Sequence, residues 1–236
     1  MVKRTKLVDL VQDGYNSKPE TAALPKDLIE ALKLVKSYGY TTLSSQEHEL
    51  LTNQAIRDPL TSLFNVRYFN EEFERRFGEY KRNENHASLV MLDIDHFKRI
   101  NTDYGHPGGN YILKMFAGIL IDASRIVDTV ARLGGEEFAM ILPGSDVQGA
   151  YTLAERIRTT IENTTFRYEK KDIKFTVSAG VSEFRKDDNP EMIYARADLA
   201  LYLSKTNGRN MVSQDSSIHI PEKDLEKRLE LPILVN

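Results

Sequence analysis

Arg132-Leu133-Gly134-Gly135-Glu136-Glu137-Phe138 reads as the tip of a tight hairpin. Strand-like runs, Thr129 to Leu133 and Phe138 to Leu142, flank a Gly-Gly pair, the residue type that supplies the positive φ such a turn demands. Two adjacent carboxylates stand just past the turn, where they repel each other unless a cation or a proton compensates. Upstream, Ala87-Ser88-Leu89-Val90-Met91-Leu92 forms a continuous apolar strand candidate that ends at Asp93-Ile94-Asp95. If this strand pairs with the hairpin, carboxylates from both can gather one or two Mg²⁺ ions, hard cations that prefer oxygen ligands and often share them with substrate phosphates. Taken singly, the same acids read as a solvated hairpin tip and a loop-entry residue.

Outward from this pair, the pattern mixes helices and strands. Asp58 and Pro59 mark a break before the amphipathic run Tyr68, Phe69, Phe73 and Phe77. Helices are expected over Phe97 to Asp103, Pro107 to Ser124, Asp146 to Asn163 and Pro190 to Thr206. Ile173 to Phe184 alternates as one long strand, and Asn210 to Ser213 can close the sheet. This order fits an α/β (α+β) architecture, a mixed and mostly antiparallel sheet flanked by helices, better than a doubly wound parallel one. Before Arg57, helical spacing recurs from Lys26 to Tyr38 and from Ser44 to Ile56. These helices either pack on their own domain or form a stalk that pairs two copies. The expected division is a helical regulatory or dimerisation segment over 1–56, a catalytic domain over 57–214 and a polar tail over 215–236.

Composition removes several function classes. With a formal net charge of -3, the chain has no general electrostatic attraction for nucleic acid, so any phosphate it holds must meet local charge. The absence of cysteine excludes disulfides, thiolate metal sites and a cysteine nucleophile. No apolar run approaches a membrane span or a signal-peptide core, which makes a cytoplasmic protein the expectation.

The acidic hairpin and the acidic strand end sit within a longer ordered series. It begins at Asp58-Pro59-Leu60-Thr61-Ser62-Leu63-Phe64-Asn65 and continues through Asp93-Ile94-Asp95-His96-Phe97-Lys98-Arg99-Ile100-Asn101 and Gly105-His106. After the hairpin it runs through Ala154-Glu155-Arg156-Ile157 and ends with Ser178-Ala179-Gly180-Val181, Ala197-Asp198-Leu199-Ala200-Leu201-Tyr202, Lys205 and Gly208-Arg209-Asn210. The series resembles the GGDEF family of diguanylate cyclases, with GGEEF at Gly134 to Phe138. The resemblance implies a five-stranded sheet like that of class III nucleotidyl cyclases, and a reaction that condenses two GTP into cyclic di-GMP through a homodimer. It implies Mg²⁺ or Mn²⁺ held by Asp93, the Ile94 carbonyl and Glu136, with Glu137 helping to ionise the attacking hydroxyl. The triphosphate is expected against backbone amides near His96 and Phe97, with Lys205 and Arg209 on its distal phosphates. Their spacing of four suggests two cations on one side of a helix end.

One departure bears on the base. The family's guanine-reading Asn and Asp match Asn101 and Asn110, so the second position has changed. A carboxylate accepts from both guanine N1-H and the N2 amino group, whereas an asparagine amide offers one acceptor and one donor, a pattern that also suits adenine. A relaxed enzyme that takes ATP and makes cyclic GMP-AMP is therefore an alternative to GTP selectivity. Ser62, Val66 and Thr102 are smaller departures that remove no expected metal ligand. Arg125-Ile126-Val127-Asp128 stands at the spacing of the family's inhibitory RxxD motif, and Arg156 resembles its partner arginine. That resemblance implies product inhibition by cyclic di-GMP, while an isolated RxxD is usually a surface ion pair. A non-catalytic nucleotide-binding module is the alternative from another class; retention of Asp93, Glu136, Glu137, Lys205 and Arg209 argues against it.

Overall fold

The computed structural model describes residues 55–215. The helical stretches expected before residue 55 and the tail after 215 lie outside the described residues, and the described residues from Asp58 onward belong to one compact unit.

The strand β1 (Ala87–Ile94) is buried along its whole length, as its continuous apolar run requires. It pairs antiparallel with β3 (Glu137–Pro143) on one side and with β6 (Val177–Glu183) on the other. The hairpin partner β2 (Thr129–Gly134) lies outside β3, and the short β7 (Val212–Gln214) runs parallel to β6 at the opposite edge. The five strands thus lie in the order β2-β3-β1-β6-β7. A separate two-stranded sheet joins β4 (Phe166–Tyr168) to β5 (Lys171–Ile173). The alternation over Ile173 to Phe184 was expected to make one strand, and it does not. Ile173 pairs with Phe166 in the small sheet, whereas Val177 pairs with Ile94. Both Ile173 and Phe175 bury in the core beside Val177, so the apolar alternation continues where the hydrogen bonding breaks.

Alternating side chains of β1 divide the interior in two. Val90, Leu92 and Ile94 face α2 (Phe97–Ala123) and α3 (Val147–Asn163); Leu89 and Met91 face α1 (Val66–Asn83) and α4 (Pro190–Thr206). Each fully buried aliphatic or aromatic side chain of this kind contributes about 1.5–3 kcal/mol. The helices begin where their caps dictate: Asn65, Asp146 and Asn189 each accept a first-turn amide through the side-chain oxygen. The helix α2 is two helical segments joined at a kink, since Gly105 has non-helical φ and ψ and Pro107 follows. Buried Arg196 anchors α4 by pairing with Asp188 and Asp215, at 2.6 and 2.8 Å. No helix among the described residues is long and apolar enough to cross a membrane.

Candidate functional site

The register of β1 and β3 sets Asp93 opposite Glu137, and the Ile94 amide donates to the Glu136 carbonyl at 3.4 Å. Three acidic side chains therefore collect at one end of the sheet. Asp93 is buried, and Lys205 from the last turn of α4 reaches it with Nζ 2.8 Å from Oδ2. Burial pushes the Asp93 carboxyl up from 3.8 to about 6; Lys205 opposes the rise, while Glu136 and Glu137 add to it. A buried acid whose ionised form is disfavoured by burial and by two further acids is a place where added positive charge is favourable. Among the described residues, no group of three or more His, Cys, Asp or Glu side chains converges as a metal cage. Two carboxylates with a backbone carbonyl nonetheless fit Mg²⁺, which commonly takes one or two protein carboxylates and completes its shell with water and substrate phosphate.

Asp95 belongs elsewhere. It is buried and accepts from Thr176 Oγ1, Ser178 Oγ and the Asn210 amide at 2.7, 2.7 and 2.9 Å. Its charge is thus consumed in tying the end of β1 to β6 and to the turn after α4. Lys205, expected on distal phosphates, rests on the candidate metal ligand. Arg209 departs from the helical spacing argument: α4 ends at Thr206, and Arg209 lies beyond it in a turn with φ of 65°.

His96 adopts a left-handed φ of 57° and opens α2, so the helix N-terminus, with Phe97 first in line, begins immediately past the acidic strand end. First-turn amides lack intrahelical acceptors and favour anions there. The kink folds the second segment of α2 against the first: a Cβ at Gly109 would run into the Asn101 side-chain oxygen. Asn101, in the first segment of the helix, is half-buried, and Asn110, beyond the kink and next to Gly109, is exposed.

Sequence reasoning missed the brace of the hairpin. Arg132 donates to the Gly135 carbonyl at 2.7 Å and pairs with Asp58 at 3.2 Å. Burial works against the Asp58 charge, but bonds from Thr61 and Arg132 outweigh it and hold the carboxyl below its usual range. Gly135 has φ of 49° in the turn, as the Gly-Gly reading required. The signal for this brace was present, since Asp58 opens the motif and Arg132 precedes the glycines, but nothing linear connects them. Tyr194 was missed too; burial, with Glu137 nearby, pushes its phenol up to about 12.

On a different part of the domain, Arg125, Asp128 and Arg156 line one open cavity of about 540 Å³, together with Gln148, Thr152 and Leu153. Asp128 Oδ2 accepts from the Arg125 amide at 2.7 Å, and Arg156 donates to the Ala123 carbonyl at 2.9 Å. The remaining oxygen, Asp128 Oδ1, is buried without a hydrogen-bond donor, and burial pushes that carboxyl up.

The strand order and the acidic hairpin at the sheet end define an α+β fold of the cyclase type. Residues 55–211 match the family described as "Diguanylate cyclase, GGDEF domain", and the chain belongs to this family. It is 40% identical over 157 residues to "Diguanylate cyclase DgcP" of Pseudomonas aeruginosa, covering 66% of this chain and 23% of that protein. It is 45% identical over 127 residues to "Diguanylate cyclase A" of Treponema denticola, covering 53% of this chain and 34% of that one. The chain therefore spans about a third or less of the length of these two relatives. Among solved structures, it is similar to the GGDEF domain of DgcB from Caulobacter crescentus in complex with c-di-GMP. The TM-score there is 0.67 at 34% identity, over 68% of this chain and 93% of that one.

Proposed function

We propose that this protein is a diguanylate cyclase that joins two GTP molecules into cyclic di-GMP and releases two pyrophosphates. The observation that carries the reading is Asp93 set opposite Glu137 beside the Glu136 turn, with Lys205 on the same carboxylate. The similarity to relatives named as diguanylate cyclases supports it. In this reading Asp93, Glu136 and the Ile94 carbonyl hold Mg²⁺ or Mn²⁺, which when bound supplies Lewis-acid stabilisation to the reacting phosphate. The α2 amides at His96 and Phe97 take the triphosphate, and Lys205 and Arg209 balance the charge that builds on the leaving pyrophosphate. The 3′-oxygen of one nucleotide forms a bond to the α-phosphorus of the other as the bond to the β-phosphate oxygen breaks. Glu137 receives the hydroxyl proton. Two such steps close the ring, so two half-sites must face each other in a homodimer.

Asn101 and Asn110 read the base. Because these two positions carry amides and no carboxylate, a second reading is favoured by the same residues: admission of ATP and formation of cyclic GMP-AMP. Incubating the protein with GTP, ATP and both in Mg²⁺, and weighing the products, tests the pair. Cyclic di-GMP alone supports the first reading, a mixed dinucleotide the second, and no cyclic dinucleotide under Mg²⁺ or Mn²⁺ rejects both.

The cavity at Arg125 supports product inhibition. A guanine edge suits an Arg fork beside the Asp128 carboxylate, and both residues line the cavity. Arg125→Ala should raise the cyclic di-GMP concentration needed for half-inhibition by about ten- to a hundredfold, the worth of a charged hydrogen bond, with initial rates unchanged. An unchanged inhibition curve would remove the assignment.

A further inference from the structure

Arg209 and Asn210 follow α4 as two successive left-handed residues, with φ of 65° and 48°. Neither is glycine, and such backbone is unfavourable for an ordinary side chain, less so for asparagine. It persists where surroundings fix it. Here the grip is explicit. The Arg209 amide donates to the Ser204 carbonyl at 2.9 Å, and the Asn210 amide donates to buried Asp95 at 2.9 Å. The Asn210 side chain is held from the other side by α3. Its Nδ2 donates to Glu162 Oε1 at 2.8 Å, and its Oδ1 accepts from the Arg158 guanidinium at 2.9 Å. Arg158 is in turn fixed by Glu155 and Glu162, at 3.0 and 2.8 Å. Both polar ends of one amide are therefore used, each against a matched partner.

Ion pairs this close to solvent add little stability by themselves. What the arrangement secures is direction: a long cationic side chain on a free turn would sample many orientations, and ordering it costs binding energy. We propose that Asn210 is a positioning residue for phosphate recognition, its amide locked between Arg158 and Glu162 so that the Arg209 turn presents its guanidinium to the nucleotide's distal phosphates. The inference rests on the reading of this sheet end as a GTP site, and it assigns to α3 a part in that site which the acidic motif does not reveal.

The test uses Asn210→Gly, because glycine accepts the left-handed φ without strain while removing the side-chain grip that fixes the turn. It is compared with Arg209→Ala and with the double variant in the full chain. Two quantities are measured: kcat/KM for GTP, and equilibrium affinity for 3′-deoxyGTP, which lacks the attacking hydroxyl. Asn210→Gly should weaken 3′-deoxyGTP binding and lower kcat/KM, each by roughly five- to tenfold, and should cause no further loss once Arg209 is already alanine. Wild-type behaviour of Asn210→Gly overturns the proposal. So does a loss that multiplies unchanged in the Arg209→Ala background, which would mark a general structural role. If the wild-type chain makes no cyclic dinucleotide yet the affinity pattern holds, the cyclase reading falls and the positioning role stands. If the wild-type chain does not bind 3′-deoxyGTP, both fall.

Discussion

Glu136→Ala is expected to reduce cyclic dinucleotide formation by at least about a hundred- to a thousandfold, the range seen when a preorganised charge-stabilising group is removed. The fold should survive. Glu136 is half-exposed in the hairpin turn, and its bond to β1 is made by its carbonyl, which alanine keeps. The turn itself is braced by Arg132 on the Gly135 carbonyl rather than by the glutamate side chain. Thermal melts without nucleotide should therefore change little. Affinity for cyclic di-GMP at the proposed inhibitory site, whose cavity at Arg125 and Asp128 does not include Glu136, should also be unchanged. Loss of turnover with both controls intact isolates the carboxylate as the cause. Turnover within a few fold of wild type would contradict its assignment as a metal ligand.

The ease with which this site was read from the chain varied with how local its physics is. The hairpin was legible because Gly134-Gly135 between two apolar runs has few other solutions. Pro190 to Thr206 was legible because Asn189 caps it and proline suits the first helical turn. A mostly antiparallel sheet followed from the order of such elements and its five strands from the family resemblance, and the structure has both. Asp93 and Asp95, in contrast, look alike in sequence. They are two apart, end the same strand and carry the same group, yet Asp93 meets Lys205 and two glutamates while Asp95 is enclosed by Thr176, Ser178 and the Asn210 amide. Only the long-range pairing of β1 with β6 separates them. Arg209 was misplaced for a similar reason: a spacing of four suggests helix, and the left-handed turn depends on partners contributed by β1 and α3.

The second large effect is expected from Asp93→Asn, which should abolish turnover and at the same time stabilise the domain above neutral pH when divalent cation is absent. In the folded protein burial raises the carboxyl to about 6, Glu136 and Glu137 adding to the rise and Lys205 only partly offsetting it, against 3.8 for an ordinary aspartate. A folded value above the unfolded one means that the native state holds the proton more tightly. Its contribution is full below about pH 4, is lost as pH rises towards 6, and is absent above that. Each pH unit of this gap is worth about 1.4 kcal/mol, so the ionised side chain burdens the native state by on the order of a few kcal/mol at pH 8. Asparagine keeps the shape and offers Lys205 an acceptor while carrying no charge, so it escapes the penalty. Melts from pH 4 to 8 in chelator should show the variants close together at the acidic end, with Asp93→Asn several degrees higher at the alkaline end. Mg²⁺ with a non-reactive GTP analogue should then stabilise the wild type far more than the variant, because binding to the native state alone adds to its stability. A variant that melts below wild type at pH 8 would show that Lys205 outweighs burial and repulsion together, and that the acidic strand end is held by its ion pair rather than kept in tension for a cation.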